Sequence, residues 1–451
     1  MQTKLYRLET YGMKSISQKI VINFLPQTST KSKLKKDVSK IKAIYGSNGA
    51  GKTAIVQSAY FYKGILTDYD YLKQKNVIDK LNNLINKTTK EFYISMIFGC
   101  TNEDLPTTIY KHELLLSYDE TDQKIYIKKE KLALLKDQTI NGDYSVIFET
   151  NNGELNIYEN KKDAFVKIVL SKTTNLLKST SLVSMIYSKD ILDETIKMLD
   201  KYDEKTNKFS SKLLTSLLDS YFFANNMTVY LNKEDLNHSY SAYNIPELIE
   251  QLQQNKKFFE NKISSDEDLI PISKFDSYEK QINKLEKFIK IFKPDLNKIR
   301  IETKEDGELL HCRKIMDYSN FEISTEFEST GIRKLMKIYT FIENSVEGKI
   351  VFIDELDANI SSIYLNKLLE YIQEDGKGQL CFTTHNILPM NYLYQLSQSL
   401  DFIGETGKIV SWKKNGNYKP YNLYPDGMIE DSPFNIEYYD FISVFETEGD
   451  K

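Results

Sequence analysis

The run Gly46-Ser47-Asn48-Gly49-Ala50-Gly51-Lys52-Thr53 restricts this chain more than any other part of it, because it satisfies GxxxxGK[ST] at every required position. An apolar stretch at 41–45 leads into it, and residues 53–65 leave it with Ile55, Ala59 and Tyr62 on one helical face. A strand that enters a glycine-rich turn and leaves as a helix aims successive backbone amides at an anion, with the positive end of the helix behind them. An ordinary glycine-rich turn would need neither flank. The pattern therefore predicts a nucleotide site, with Lys52 reaching the β and γ oxygens and the Thr53 hydroxyl on Mg²⁺. ATP and Mg²⁺ are the expected ligand and metal.

The rest of such a site is also legible. Residues 349–355, KIVFIDE, read as an apolar strand ending in two carboxylates. Asp354 stands where Mg²⁺ needs a carboxylate, and Glu355 can act on the water in line with the γ-phosphate as general base. Another strand, 379–383, leads to Thr384-His385-Asn386. A single histidine is more often structural, but His385 follows the acidic strand in the order that lets it hydrogen-bond a γ-phosphate. Between the phosphate loop and the acid pair, Glu328-Ser329-Thr330-Gly331-Ile332-Arg333-Lys334-Leu335 opens an amphipathic helix. Ser329 is an N-cap by type. The functional alternative is a helix tip offered to a phosphate, with Arg333 able to approach it. A nucleotide already cradled by its own loop has one open side, so that tip is expected from a second subunit.

Length and composition fit a folded protein. The 451 residues correspond to about three domains at ~150 residues each, and a 41% hydrophobic, 27% charged composition supplies a core. The net charge of −4 argues against a generally basic nucleic-acid coat while leaving local basic patches open. Cys100, Cys312 and Cys381 are widely spaced and odd in number, which fits a reducing cytosol. The opening MQTKLYRLETYG has no apolar signal region, and no segment reaches the ~18 apolar residues of a membrane span. Cytoplasmic location without membrane contact is the expectation. Residues 5–24 read as two short strands, and 91–158 as an antiparallel meander of alternating segments. Helical spacing follows over 163–295, punctuated by Pro246, Pro271 and Pro294. The remainder alternates helix and strand from about 332, which implies a parallel sheet. The expected units are 1–160 (phosphate loop and meander), 161–297 (an inserted helical lobe) and 298–451 (signature helix, acid pair, His385 and tail).

Together these motifs resemble the ABC-type ATPase head, and within it the branch holding the SMC, RecF and overcoming-lysogenisation-defect (OLD) proteins. Lys52 and Asp354 lie much farther apart than their counterparts in transporter ATPases. LYRLETYGMKSISQKIVINF resembles the strands that open SMC and RecF heads, and ESTGIRKL resembles the ESSGT-x-(K/R)-L signature of compact OLD-like ATPases of phage-defence and abortive-infection operons. DELDANIS and TTHN continue the likeness. It covers residues 1–65 and 320–405 well and the helical interval hardly at all. It implies an α/β P-loop ABC-type head with a mixed sheet, an antiparallel meander and a helical insertion. It also implies a homodimer, or higher homo-oligomer, sandwiching two ATPs. Gly46, Ser47, Asn48, Gly49, Ala50, Gly51, Lys52 and Thr53 then hold nucleotide in cis, with Thr53 and Asp354 on Mg²⁺ and Glu355, Lys52 and His385 as the catalytic set. Asp357 matches the D-loop, and Ser329 and Gly331 contact the γ-phosphate in trans. No convincing Q-loop glutamine appears in the meander.

OLD nucleases continue into a Toprim domain, which needs a glutamate at one strand end and a DxD at another. The stretch after His385 contains no DxD and reads as a few strands and an aromatic-acidic tail, FNIEYYDFISVFETEGD. The output is therefore expected from a separate nuclease or toxin, as in two-component defence systems; the Septu and PARIS ATPases are similar in kind. The alternative is a RecF-like DNA-binding repair ATPase, for which the lysines at 31–40 and 280–298 would supply phosphate contacts.

Overall fold

The computed structural model describes all residues except 27–29, 31–37, 102–105, 120–123, 138, 174–175, 188–190, 192–210, 232–262, 264–266, 308, 397, 405–406, 414–417 and 430–451. The central sheet comprises Ile41–Gly46 (β3), Met227–Tyr230 (β9), Ile350–Ile353 (β14), Gln379–Thr383 (β15), Leu400–Ile403 (β16) and Ile409–Ser411 (β17), in the order β17-β16-β3-β15-β14-β9. Its strands pair in parallel except β16 with β17. Strands with apolar side chains on both faces need cover on both faces. Ile44, Ile350, Phe352, Cys381 and Ile403 join a core with Lys52–Thr67 (α1) and Lys212–Asn225 (α4). Ala43, Tyr45, Val351, Ile353, Leu380 and Phe382 join a second core with Phe275–Phe292 (α5), Thr330–Glu347 (α6) and Ser362–Asp375 (α7).

The first core is closed by an antiparallel sheet of Gln2–Tyr11 (β1), Ile20–Asn23 (β2), Glu91–Thr101 (β4), Thr108–Asp119 (β5), Lys124–Leu135 (β6), Tyr144–Asn151 (β7) and Glu154–Ile157 (β8), ordered β2-β1-β4-β5-β6-β7-β8. The expected meander and opening strands thus form one sheet. Gln379 stitches it to the central sheet: its amide accepts from Leu5 N at 2.7 Å and donates to Leu5 O at 2.9 Å, taking the place of a strand neighbour. Helices Lys75–Leu84 (α2) and Ala164–Lys172 (α3) flank this half. A small sheet of Glu267–Pro271 (β10), Leu296–Asp306 (β11), Leu309–Tyr318 (β12) and Glu322–Ser324 (β13) carries α5 through Tyr278, Ile282, Leu285 and Ile289. Beneath it, Lys314 Nζ and the Tyr278 hydroxyl both donate to Asp268 Oδ2, at 2.6 and 2.7 Å.

The interval 161–297 is not helical throughout. It supplies β9, the edge strand of the central sheet beside β14, as well as β10 and the start of β11. The four residues MTVY are too few to show a period, and only the sheet edge left beside β14 makes them a strand. The helical pattern at 280–292 does lie within α5. Pro246, the lysines at 31–36 and the aromatic-acidic tail lie outside the described residues.

One pair inside the central sheet was hidden in the pattern KIKAIYG. Lys42 on β3 has no exposed surface, and its Nζ meets Asp401 Oδ1 on β16 at 3.1 Å, the aspartate being equally enclosed. Breaking a buried ion pair on one side leaves a charge without compensation and costs about 3–5 kcal/mol, whereas replacing both partners with apolar groups is often neutral. Urea unfolding should show a loss of about that size for Asp401→Ala and recovery of most of it in Lys42→Met/Asp401→Leu.

Candidate nucleotide site

Chain packing dictates the glycines of the loop. A Cβ on Gly46 would lie 2.4 Å from the Ile403 carbonyl oxygen of β16, and one on Gly51 2.8 Å from Ile16. Gly49 and Gly51 take φ of 83° and 110°, the left-handed region that side chains avoid. Gly51 caps α1, whose first amides receive no side-chain cap, so this helix end is left to an external anion. Lys52 is buried and donates from Nζ to the carbonyls of Gly46 and Ser47, both at 2.8 Å. Burial lowers its pKa, and the carboxylates of Asp354, Glu355 and Asp357 oppose that shift. The Ser47 hydroxyl is enclosed within the loop without a hydrogen-bond partner.

The parallel order puts β15 between β3 and β14, so three strand ends meet beside this loop. Asp354, one residue past β14, accepts from Thr53 Oγ1 at 3.2 Å and from Thr383 Oγ1 at 2.7 Å. Burial raises its pKa, while the two threonine hydroxyls hold it down. Glu355 follows with φ of 51° and donates its amide to Thr383 Oγ1 at 2.8 Å, so the acid pair turns sharply off the strand. Lys52 and His385 both feel the fields of Asp354, Glu355 and Asp357, which places these five groups in one cluster. The His385 pKa is lowered, first by partial desolvation and then by the Lys52 ammonium, so its ring is neutral at pH 7. The donor set fits Mg²⁺ with a triphosphate: a hydroxyl and a carboxylate already share a hydrogen bond, an ammonium lies alongside, and a helix end is open.

Ser329 and Gly331 lie elsewhere. They line a cavity of ≈ 380 Å³ with Phe292, Phe321, Asn359 and Tyr364, and no phosphate-loop residue shares it. Ser329 is the N-cap of α6, and its Oγ accepts from Ile332 N at 3.4 Å. Gly331 is required in cis: a Cβ there would lie 2.8 Å from the Asn359 carbonyl oxygen, in the turn that follows the acid pair. Arg333, expected to be able to approach a phosphate, instead donates from Nη1 to the Glu326 carbonyl at 2.8 Å. That bond secures the chain entering α6.

Sequence reasoning passed over several contributors. Lys14, on a tight turn with φ of 50°, acts electrostatically on Asp354, and its neighbour Ser15 donates to the Gly49 carbonyl at 2.9 Å. Its motif, GMKSIS, was visible, but the fold alone brings that turn against the loop. Thr383 is the second donor to Asp354, and Lys334 lies within reach of all three carboxylate fields. Some of the described lysines read as a nucleic-acid face have partners within the chain. Lys40 caps α7 by donating to Gln373 O at 2.9 Å, while Lys284, Lys290 and Lys293 pair with Glu343, Glu286 and Asp295.

Fold and site together define a P-loop α/β head with a mixed central sheet and an antiparallel side sheet. No protein-family model matches the chain, and no curated protein matches it. Among solved structures it is similar to the Smc head domain of Pyrococcus furiosus, solved with an extended coiled coil bound to the C-terminal domain of ScpA. That match has a TM-score of 0.41 and 14% identity, covering 91% of this chain and 96% of the other. It is also similar to the recombination mediator protein RecF of the RecFOR pathway, solved with ATP, at a TM-score of 0.33 and 11% identity, covering 91% and 99%. Among the described residues, no helix is long and apolar enough to cross a membrane.

The cis contact at Gly331 can be measured. Gly331→Ala must push the α6 tip off the Asp357–Asn359 turn, and overpacking of that kind costs about 1–3 kcal/mol. Urea unfolding should show a loss in this range for Gly331→Ala, and a parental midpoint for that variant would show that the tip makes no such contact.

Proposed function

We propose that this chain binds and hydrolyses ATP with Mg²⁺, and that two copies close on the nucleotide to control a separate effector, a nuclease or toxin, in prokaryotic antiviral defence. The observation that carries the ATPase reading is the Asp354 carboxylate held between Thr53 of the phosphate loop and Thr383 of β15. In this reading the amides of Gly49–Thr53 and the Lys52 ammonium bind the β and γ phosphates, and Thr53 and Asp354 are the metal-side ligands. Mg²⁺, when bound, neutralises charge on the phosphate oxygens. Glu355, turned off the strand end by its left-handed backbone, takes the proton of the attacking water. Neutral His385 donates a hydrogen bond toward the γ-phosphate and registers its loss on hydrolysis.

The dimer and the effector rest on other support. Ser329 and Gly331 sit at the tip of a long helix, away from their own loop, so a phosphate reaches them from a second copy. The likeness of ESTGIRKL to the signature of compact phage-defence ATPases favours an antiviral setting and an effector on another polypeptide. The alternative is a RecF-like DNA-binding ATPase, since Lys284, Lys290 and Lys293 meet carboxylates only at the surface, where such pairs are weak.

Glu355→Gln should bind Mg-ATP like the parent and lose turnover by about 10²–10⁴-fold, the usual contribution of a general base. Light scattering with ATP should then show the variant accumulating as a dimer. Parental turnover by Glu355→Gln would remove the base assignment. ATP turnover that rises with added DNA and falls steeply with salt would favour the RecF-like alternative over effector control.

A further inference from the structure

The signature helix carries a lysine whose burial needs explaining. Lys334 is 5% exposed, and its Nζ stands 4.4 Å from the centre of the Tyr230 ring, over the ring face. Tyr230 ends β9, next to the acid strand, and its carbonyl accepts the amide of Asp354 at 2.9 Å. The same ring meets Phe341, two turns farther along α6, edge-on at 5.3 Å. Tyr230 is therefore gripped by α6 through Lys334 and Phe341, and it grips the first carboxylate residue through its backbone.

Electrostatics give this grip a direction. The fields acting on Lys334 come, largest first, from Glu355, Asp354 and Asp357, the acid pair and the turn behind it, with Lys337 opposing. Burial nevertheless dominates and lowers the ammonium pKa to about 8, so the charge at pH 7 is kept at a cost. A methionine would fill the same stem without that cost. A residue kept only for packing would not be expected to be a lysine here.

We infer that Lys334, clamped on Tyr230, is a positioning residue that couples the Ser329–Gly331 tip of each protomer to that protomer's own acid pair, so that displacement of the tip is felt at Asp354 and Glu355. This rests on the ATPase reading and adds a route by which contact at the helix tip sets the geometry of hydrolysis in cis. In this role the ammonium acts through the Tyr230 ring and carbonyl and through its field on the carboxylates.

The test compares Lys334→Met, Lys334→Arg and Tyr230→Leu with the parent in three measurements: thermal melting at pH 7, Mg-ATP affinity by calorimetry, and steady-state turnover. Lys334→Met should melt at or above the parental temperature and bind Mg-ATP within about threefold of the parent, yet turn over about tenfold or more slowly, because a small misplacement of a reacting group is costly. Lys334→Arg, which restores the cation over the ring, should recover turnover to within about threefold. Tyr230→Leu should slow turnover as Lys334→Met does. Parental turnover in Lys334→Met overturns the inference. So does a fall in melting temperature that tracks the fall in turnover and is not relieved by arginine, since that is what packing alone would give. A parent chain that binds no ATP removes the reading beneath it and this inference with it, and the parental control shows which has failed.

Discussion

A single buried carboxylate holds the candidate nucleotide site together. Asp354 stands past the end of β14, takes hydrogen bonds from Thr53 and Thr383, and draws its amide partner from Tyr230. A carboxylate taken out of water must be compensated by hydrogen bonds or a cation. Both threonines supply the former here, Thr53 from the start of α1 and Thr383 from the end of β15. The order β3-β15-β14 makes this meeting unavoidable: β15 runs between the loop strand and the acid strand, so its terminal threonine faces both. The parallel sheet, the glycines backed by Ile403 and Ile16, and the turn carrying Glu355 all serve to bring these groups to one edge.

The other half of the site is organised around α6. Its tip is fixed three times within the same chain: Gly331 against the Asn359 carbonyl, Arg333 on the Glu326 carbonyl, and Lys334 over Tyr230. Two of these contacts lead straight back to the acid pair or the turn behind it. The segment expected to reach a partner's nucleotide is thus mechanically continuous with its own Asp354–Asp357 loop. The likeness of ESTGIRKL to a signature motif would not have suggested that, because it implies only what the tip contacts across the interface.

What could be read from the sequence was whatever is local. The phosphate loop needs consecutive residues in one conformation, so GSNGAGKT announces itself, and the acid strand does so because its apolar run ends abruptly in Asp354-Glu355. The paired strands of the side sheet were visible as alternation, and α5 as a helical stripe. Features fixed by distant partners were not visible. β9 is a strand only because β14 has an edge to fill, and Lys42 sits inside an apolar strand only because Asp401 awaits it one strand away. Lys14 reaches the site through a turn held by the Leu84 carbonyl, a contact no spacing predicts. The Glu326 carbonyl that accepts from Arg333 Nη1 was likewise invisible in the sequence, because the turn leading into α6 sets that contact.

The account depends on Asp354 serving the metal beside a nucleotide held by the loop. Calorimetric titration of the intact chain with a slowly hydrolysed ATP analogue, with and without Mg²⁺, measures this directly when Asp354→Asn is run in parallel. The predicted result is one analogue per chain, bound more tightly with Mg²⁺ by the parent, and an Mg²⁺ enhancement that disappears in Asp354→Asn while the analogue still binds. The same Mg²⁺ enhancement in both proteins, or a parent that takes up no analogue, would contradict it.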